Sequence, residues 1–462
     1  MLITAMQDKR GSRRRGDLAL PPLPRLESLT VDGHFTQLLR DAEHRLPRLR
    51  SVTFVDIRGA LPDLHGFPNL RTVIVRGGRL ASLEGLRGSP VSRLELVGTA
   101  VGSIAALTAV RGLRSLRIRA SKIADLTPIA SLDTLRTLRI EEQEAKSWMS
   151  LARLRQLEHL ALSGFGPPRD VLQRLVAEVI ASSPSLRTLD LSRSHLANAS
   201  PLAKLHQLQT LKLAWTKLVG LRALSSLTRL EELYLSGQQS IVKSVDLGWI
   251  ASLRRLRVLN LRLALDVDSV GFLARCSALE RLSIGRTAVT DLRPLANLHS
   301  LRALSLSGHA DSHLKSLEGL ERLRALRKLD LTATDLRLVK ALPQLVRLES
   351  LVIDRARHID ASALTRLAHL KTLSARGTNL ADLRTLAGIK SLVRLELTDT
   401  KVSDLTPLHA MTALTHLELS KTRVTSVKPI GELRNLVYLG LRGTQVNDLR
   451  PIRHLRRLRY LD

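Results

Sequence analysis

The stretch KSLVRLELTDTKVSDLTPLHAM, residues 390–411, recurs almost intact from Thr412 and again from Arg434. Its apolar residues alternate with polar ones in RLEL and then fall on every third position in VSDLTPLHAM. The alternation predicts a strand with one buried face, and the steps of three predict short turns that direct apolar side chains into the same interior. One copy cannot bury that interior alone, so we predict that neighbouring copies stack on each other.

The same unit recurs along nearly the whole chain, most often at a spacing of 22 residues, as in residues 111–132 and 277–298. So short a repeat leaves room for a strand and only a 3₁₀ or single-turn helix opposite it. We therefore predict an α/β repeat solenoid, a single domain of about 19 repeats over residues 21–462. Its strands would form a parallel concave sheet, with short 3₁₀ or irregular segments on the convex side. Residues 1–20 are polar and basic and predict a disordered tail.

Three segments depart from the regular spacing. The stretch SGFGPPRDVLQRLVAEVIASS, which follows Leu162, carries apolar residues at helical spacing and predicts an α-helix of about three turns. Asp170 stands at its start and is the predicted N-cap. Shorter insertions at residues 238–246 and 309–316 directly follow strands, so we expect both to bulge from the sheet edge.

Composition limits the class of protein. Only 2% of the 462 residues are aromatic while 44% are hydrophobic, which predicts an interior of aliphatic side chains. The single cysteine, Cys276, excludes an internal disulfide framework and agrees with a reducing compartment. No apolar run is long enough to span a bilayer, and the N-terminus lacks the apolar segment of an export signal. We expect a cytoplasmic protein, with delivery by a specialised, non-Sec secretion system left open.

The turn motif DLxPL, at residues 125–129, 291–295, 404–408 and 448–452, resembles the short 22-residue class of leucine-rich repeats. That class occurs in bacterial internalins and in the regulator of protein phosphatase. The resemblance covers essentially the whole chain and implies a horseshoe whose concave parallel sheet grips another protein. Internalins commonly carry Asn where this chain has Thr, and they usually have an export signal and a separate cap domain, neither of which is evident here. A Thr hydroxyl can still donate a hydrogen bond to a backbone carbonyl in the turn. The threonines at this position are Thr99, Thr216, Thr287, Thr334, Thr378, Thr400, Thr422 and Thr444.

The residues between the leucines of each strand should face the concave surface, where they predict three zones. The N-terminal zone is a basic patch of Arg76, Arg93, Arg117, Arg119 and Arg139. The central zone consists of Lys212, Trp215, Glu232, Tyr234 and Arg262. The C-terminal zone alternates in charge and consists of Arg394, Glu396, Asp399, His416, Glu418 and Lys421. Because Trp, Tyr and Arg dominate interface hot spots, we expect an exposed Trp215 beside Tyr234 to contact a protein partner.

The register also assigns the remaining tryptophans and the cysteine. Trp148 stands where sister repeats have a core leucine and is predicted to be buried. Trp249 aligns with Pro128 and is predicted to lie on the convex surface. Cys276 aligns with core leucines, so we expect a small buried side chain instead of a nucleophile.

The net charge of +30 is far from neutral and has two interpretations. One is a polyanion-binding surface, for nucleic acid or an anionic membrane, along the sheet edge. The other is a compositional bias towards arginine without functional meaning. The predicted edge stripe consists of Arg114, Arg136, Arg187, Arg254, Arg255, Arg257, Arg302 and Arg327. Glu158, Glu231, Glu280 and Glu349 would interrupt the repulsion between neighbouring cations.

Enzyme signatures such as GxxxxGK[ST], HExxH and GxSxG are absent, and the histidines are scattered, so we predict neither catalysis nor a metal or cofactor. The leading hypothesis is a non-enzymatic protein-binding scaffold. A polyanion-binding protein and a secreted bacterial effector are the alternatives. The last repeat ends in RRLRYLD without a polar capping helix. Either Tyr460 and the flanking arginines suffice to cover that end, or it docks against another copy of the chain or a partner.

Overall fold

The computed structural model describes residues 2–3, 20–40, 42–164, 166–237, 244–308, 314, 316–334, 342–357 and 361–462. Of the predicted tail, Leu2–Ile3 form a short strand and Leu20 is buried, while residues 4–19 lie outside the described residues. The predicted insertions at 238–246 and 309–316 also fall mostly outside them. The chain divides into two compact units, Met1–Leu227 and Thr228–Asp462, and each is described by itself. The single continuous domain stays a prediction.

The first unit contains thirteen strands among its described residues. They are β1 (Leu2–Ile3), β2 (Ser28–Asp32), β3 (Ser51–Val55), β4 (Arg58–Ala60), β5 (Thr72–Arg76), β6 (Arg79–Ser82), β7 (Arg93–Val97), β8 (Ala100–Ser103), β9 (Ser115–Arg119), β10 (Thr137–Glu141), β11 (His159–Ser163), β12 (Thr188–Asp190) and β13 (Thr210–Lys212). Ten of them form one parallel sheet in the order β1-β2-β3-β5-β7-β9-β10-β11-β12-β13. The sheet therefore grows by one strand per repeat, as predicted.

The second unit continues the pattern with eleven shorter strands among its described residues. They are β14 (Glu232–Tyr234), β15 (Val258–Asn260), β16 (Arg281–Ser283), β17 (Ala303–Ser305), β18 (Lys328–Asp330), β19 (Ser350–Val352), β20 (Thr372–Ser374), β21 (Arg394–Glu396), β22 (His416–Glu418), β23 (Tyr438–Gly440) and β24 (Tyr460–Leu461). Each pairs in parallel with the next in chain order. The predicted repeat solenoid is thus confirmed within each unit.

Strand pairing places equivalent repeat positions side by side. Leu116 of β9 lies opposite Leu138 of β10, and both leucines are fully buried. Burying one such side chain stabilises the fold by roughly 1.5–3 kcal/mol. Trp148 is 1% exposed and Cys276 is also 1% exposed, so both predicted core positions are confirmed. Burial raises the pKa of the Cys276 thiol to about 11.

Short 3₁₀ segments face the sheet across the leucine core. In the first unit they are Gly33–Leu39, Glu84–Leu86, Ala105–Ala109, Thr127–Ser131, Trp148–Arg153, Ser200–Lys204 and Leu221–Ser226. In the second they are Ser244–Ser252, Gly271–Arg275, Arg293–Asn297, Leu320–Arg322, Leu342–Gln344, Ala361–Leu364, Arg384–Leu386, Thr406–Leu408, Lys428–Ile430 and Arg450–Ile452. Because a 3₁₀ turn spans few residues, each repeat stays as short as the sequence predicts.

The DLxPL motif forms the turn at which these 3₁₀ segments begin. The aspartate carboxylate accepts a hydrogen bond from the backbone N–H two residues later, at 2.9 Å from Asp125 to Thr127 and 2.8 Å from Asp404 to Thr406. Pro then occupies the first turn, where its missing N–H leaves no intrahelical hydrogen bond unmade. Asp thus satisfies a free donor, and Pro fixes the backbone for the turn.

The predicted α-helix is confirmed as α1 (Arg169–Ser182), 14 residues long. Leu172, Leu175 and Val176 of α1 are buried against the core. The predicted N-cap is wrong. Pro168 occupies that position without a side-chain cap, and Asp170 lies inside the first turn. The reason is that Pro168 enters the helix with extended geometry and starts it one residue before the aspartate.

Trp249 is not on the surface, contrary to the prediction. Its side chain is 8% exposed, and its indole N–H has no hydrogen-bond partner among the described residues. The ring lies in Ser244–Ser252, a 3₁₀ segment of nine residues, whereas Pro128 lies in one of five. The longer segment changes which side chains point inward, so the alignment with Pro128 fails at this repeat.

A second, smaller sheet was not predicted. Strands β4, β6 and β8 pair in parallel just beyond the ends of β3, β5 and β7. Their sequences carry too few alternating apolar residues to predict strands, since β4 reads only RGA and is exposed throughout. Register between neighbouring repeats, and not local pattern, produces this pairing.

A left-handed backbone residue recurs where each strand ends. Glycine occupies the position at Gly77, Gly98, Gly164, Gly237, Gly377 and Gly443. Other residues occupy it at Asp56, Ala120, Glu142, Arg193, Trp215, Leu263, Arg286, Ala333, Arg355, Asp399 and Lys421. A residue with a Cβ loses about 1–2 kcal/mol in this conformation, so the second set is strained at a place where glycine would not be.

The next residue in each turn is usually Thr, and its hydroxyl fills the predicted role. It donates to the carbonyl oxygen three residues earlier, at 2.6 Å in Thr216 and 2.7 Å in Thr400. Equivalent bonds form at Thr287, Thr334, Thr378, Thr422 and Thr444. Thr99 differs and reaches the carbonyl of Val97 at 3.3 Å. The predicted substitution of Asn by Thr thus keeps the turn hydrogen-bonded.

Candidate functional site

The predicted protein-binding residues are divided between the two units. Arg76, Arg93, Arg117, Arg119, Arg139, Lys212 and Trp215 belong to the first unit. Glu232, Tyr234 and Arg262 belong to the second. The expectation that Trp215 stands beside Tyr234 stays a prediction, because the two units are described separately.

The N-terminal basic patch is largely neutralised by acidic neighbours. Arg117 donates to Glu141 at 2.8 Å, and this hydrogen bond raises the pKa of the arginine. Two further pairs are Arg93 with Glu95 at 2.5 Å and Arg119 with Glu142 at 3.3 Å. Within the described residues, Arg76 and Arg139 have no salt bridge. The patch is therefore less cationic than its sequence indicates.

A large cleft opens where strands β9 to β13 end and α1 begins. Its volume is about 870 Å³, within the range of about 300–1,000 Å³ that is usual for ligand pockets. It exists because the helix-bearing repeat is longer than its neighbours and separates the turns that surround it. The cleft is lined by Arg119, Glu141, Glu142, Ser163, Gly164, Arg169, Asp190, Ser192, Arg193, Ser194, His195, Leu196, Trp215 and Lys217. We call this region the helix-repeat cleft.

Trp215 supplies the aromatic surface of the helix-repeat cleft. Its side chain is 43% exposed, and its backbone is left-handed, with φ of 59°. Large side chains are rare in this conformation, and such outliers cluster at functional sites. Six other repeats have glycine here, and ten have a residue with a Cβ. Among the described turns, Trp215 carries the one aromatic side chain at this position.

The charged residues of the helix-repeat cleft fall into two groups. The acidic residues have partners: Glu141 and Glu142 pair with arginines, and Asp190 accepts the N–H of Ser192 at 3.0 Å. The basic residues Arg169, Arg193 and Lys217 form no salt bridge with any described residue. These three cations are all exposed. The cleft therefore carries positive charge that no described carboxylate compensates, at the start of α1 and in the turns after β12 and β13.

Ser194 lies at the base of this group. It occupies the turn position where Thr216 donates a hydrogen bond to a carbonyl, yet the hydroxyl of Ser194 has no partner among the described residues. The residue is only 5% exposed. A buried hydroxyl without a partner costs about 1–3 kcal/mol, which makes it a candidate for bonding to a ligand.

The sequence alone identified Trp215 and Arg119 but missed the other cleft residues. Arg193 and Lys217 follow the strands, outside the leucine spacing that was used to read the sheet face. Arg169 lies beside the predicted N-cap Asp170 and is not among the predicted site residues. The missed signal is the long repeat itself, since the chain must enter and leave α1 beside the strand ends.

In the second unit, the predicted residues form a smaller polar cluster. The Tyr234 hydroxyl donates to Glu232 at 3.2 Å, and Arg281 reaches the same carboxylate at 3.4 Å. Burial, followed by the negative charge of Glu232, raises the pKa of Tyr234. Arg262 is exposed, and its backbone N–H donates to Asn260 at 3.0 Å. Asn260 and Arg281 also line a shallow cavity of about 410 Å³.

The predicted C-terminal zone contains an ordered aromatic pair. The rings of His416 and Tyr438 stack with centroids 6.1 Å apart, and the Tyr438 hydroxyl donates to Glu418 at 2.8 Å. That hydrogen bond, with burial, raises the pKa of Tyr438 to about 12. Burial raises the pKa of Glu418, but hydrogen bonds from Ser420 and Tyr438 outweigh it and lower the pKa overall.

The predicted edge stripe is interrupted by carboxylates, as expected. Arg136 pairs with Glu158 at 3.0 Å, and Arg257 pairs with Glu280 at 2.9 Å. Arg327 contacts Glu349, which also pairs with Lys371 at 3.0 Å. The stripe arginines without a salt bridge among the described residues are Arg114, Arg187, Arg254, Arg255 and Arg302. Exposed pairs of this kind contribute little to stability, but they reduce the positive charge along the edge.

Two further observations concern the described part of the chain only. No group of three or more His, Cys, Asp or Glu side chains is placed to hold a metal ion there. No helix in it combines the length and the apolar character needed to cross a membrane.

No protein-family model matches the sequence, and a search of curated proteins finds no match. Solved structures do match. An internalin, InlF, of Listeria monocytogenes is 24% identical with a TM-score of 0.56, covering 69% of this chain and 89% of its own. TLR13 in its complex with ssRNA13 is 18% identical with a TM-score of 0.57, covering 92% of this chain and 62% of its own.

The plant peptide hormone receptor RGFR1, in complex with RGF2, is 18% identical with a TM-score of 0.51. It covers 96% of this chain and 73% of its own. At these identities the likeness concerns the fold. Parallel strands that add one per repeat, the 3₁₀ segments across the leucine core and these structural matches together identify the fold as a leucine-rich repeat solenoid.

Proposed function

We propose that this protein is a non-enzymatic scaffold that binds a protein partner in the helix-repeat cleft. Trp215 carries the proposal. Its side chain is 43% exposed and presents an aromatic ring to the cleft, at a turn position where the other described repeats have glycine or a non-aromatic residue. Tryptophan is also among the residues most enriched in interface hot spots.

The surroundings of Trp215 support a binding role. Cations without salt bridges and carboxylates lie in the same cleft, so a partner meets both polar and apolar groups there. Such a mixture is typical of protein interfaces, in which a few buried anchors supply most of the affinity. RGFR1, which shares the fold, is in complex with RGF2, and this supports a ligand-binding role.

The test compares two substitutions that relieve the same backbone strain. Trp215→Gly removes the anchor, and Leu263→Gly changes the equivalent turn position of a repeat in the second unit, where φ is 65°. Proteins are captured from the native host by the wild type and by each variant, and purified partners are then measured by calorimetry. We expect the wild type and Leu263→Gly to capture the same partners with similar affinity. Trp215→Gly should bind those partners about 30-fold more weakly. Capture that does not depend on residue 215 would refute the proposal.

A further inference from the structure

Three cations that line the helix-repeat cleft belong to separate elements. Arg169 is the first residue of α1, Arg193 follows β12, and Lys217 follows β13. None of them has a salt bridge with a described residue, although carboxylates line the same cleft. Glu141 and Glu142 pair with Arg117 and Arg119, and Asp190 lies 3.9 Å from the ammonium of Lys212. Three exposed cations near one another repel each other, and an anion bound among them would remove that repulsion.

The backbone of α1 adds to this positive field. The helix has 14 residues, so its aligned peptide dipoles place partial positive charge at the end that begins with Arg169. Its N-cap is Pro168, which provides no side-chain acceptor for the free N–H groups of the first turn. An anion near that end would meet unoccupied donors as well as cationic side chains.

An independent observation points to the same place. The hydroxyl of Ser194, which lines the cleft, is buried and has no hydrogen-bond partner among the described residues. In a sister repeat the equivalent Thr216 hydroxyl donates to Leu213. This hydroxyl, on the residue that follows Arg193, is able to donate to an oxygen of an anion bound in the cleft.

Trp215 borders this cationic group and sets the second requirement on the ligand. A cleft of about 870 Å³ is much larger than one carboxylate needs, so the ligand extends beyond its anionic group. The exposed indole face offers an apolar surface for a neighbouring aromatic or aliphatic side chain. Charge and apolar surface adjacent to each other fit a peptide segment better than a free ion.

From this arrangement we propose that the helix-repeat cleft recognises an acidic segment of its partner. A carboxylate or phosphorylated side chain of that segment would lie among Arg169, Arg193 and Lys217, and a neighbouring apolar side chain would lie on Trp215. The inference rests on the proposed function and specifies the chemistry of the partner that the cleft selects.

Trp215 provides a signal for the test, because Trp148 and Trp249 are both buried. The full chain is titrated with the blocked peptide Glu-Glu-Phe-Glu-Glu while tryptophan emission is followed. A second peptide carries phosphoserine in place of glutamate, a third carries glutamine, and inorganic phosphate is the fourth ligand. We expect one or both acidic peptides to bind, the glutamine peptide to bind at least about tenfold more weakly, and binding to weaken with added salt.

Matched charge variants separate the cleft from the overall charge of the protein. The double variant Arg193→Gln/Lys217→Gln should bind the acidic peptide about tenfold more weakly. The double variant Arg111→Gln/Arg155→Gln lowers the net charge by the same two units at exposed positions outside the cleft and should bind like the wild type. Equal losses in the two double variants, binding of phosphate without either peptide, or equal binding of the glutamine peptide would overturn the inference.

Ser194→Ala gives a readout that a purely structural role would not produce. It removes a buried hydroxyl without a partner, so the unfolding temperature should stay the same or rise. Peptide affinity should nevertheless fall by roughly threefold. A stability loss with unchanged affinity would contradict the assigned role. If neither acidic peptide binds but partner capture still depends on Trp215, the acidic preference is wrong and the proposed function stands.

Discussion

At position 215, glycine should be more stable than alanine, the reverse of the usual order. Trp215 is 43% exposed, so about 110 Å² of a side chain of roughly 200 Å² is buried, worth about 3 kcal/mol. Both substitutions lose most of this contribution. Only glycine also removes the left-handed strain of about 1–2 kcal/mol. Glycine loses about 0.4–1 kcal/mol through the greater freedom of its unfolded chain. The net difference favours glycine by about 0.5–1 kcal/mol.

Val219 is the control because it is 57% exposed and does not have a positive φ. At position 219 the alanine variant should have a free energy of unfolding about 0.4–1 kcal/mol higher than the glycine variant. Differential scanning calorimetry on the alanine and glycine variants at positions 215 and 219 shows which variant is more stable at each position. At about 2.1 cal/mol/K per residue, 1 kcal/mol corresponds to about 1 °C for unfolding of the whole chain, and to about 2 °C if Met1–Leu227 unfolds alone. If alanine is more stable than glycine at both positions, the left-handed strain at Trp215 is refuted.

The remaining predictions concern burial, ionisation and charge. Cys276, whose thiol pKa is raised to about 11 by burial, should resist iodoacetamide at pH 8 and react after unfolding; rapid labelling of the folded chain would contradict its placement. Tyr438 has a folded pKa of about 12, above its unfolded value of 10, so the stability from its bond to Glu418 is complete below pH 10 and is lost as pH rises towards 12. Tyr438→Phe should flatten that part of the stability profile measured in urea, and an unchanged slope would exclude the bond. If the edge stripe binds polyanions, Arg114→Gln/Arg187→Gln should elute from heparin at lower salt than Arg111→Gln/Arg155→Gln, whereas equal elution would indicate only general charge.

The leucine spacing was sufficient to predict the repeat, the position of α1 and the burial of Trp148 and Cys276. These features depend on which side chains are apolar, and that information is present in any single repeat. Trp249 shows the limit of the method. Its burial depends on the length of a 3₁₀ segment beside an insertion, and alignment with a shorter repeat does not predict it.

The candidate site was only partly predictable for a similar reason. The sequence singled out Trp215 because aromatic residues are scarce, but it did not bring Arg193 and Lys217 together with Arg169. Their positions depend on a left-handed turn after each strand and on the path of the chain around α1. The leucine pattern contains neither kind of information, since both are set by backbone conformation between the periodic positions.

Acid should affect the two sides of each repeat differently, because aspartates stabilise the turns on the 3₁₀ side. These aspartates belong to the DLxPL turns and to the equivalent turn at residues 382–386. At Asp291, Asp382 and Asp448, hydrogen bonds from the neighbouring arginine side chain and then from its backbone N–H hold the carboxyl pKa below the ordinary value of 3.8. A lowered folded pKa means that the stabilisation is complete above pH 3.8 and is lost as pH falls through the folded value. The leucine side chains of the interior and the backbone hydrogen bonds between strands do not titrate. Acidification should therefore destabilise the turns on the 3₁₀ side of these repeats, while the hydrogen-bonded strands of the sheet remain paired.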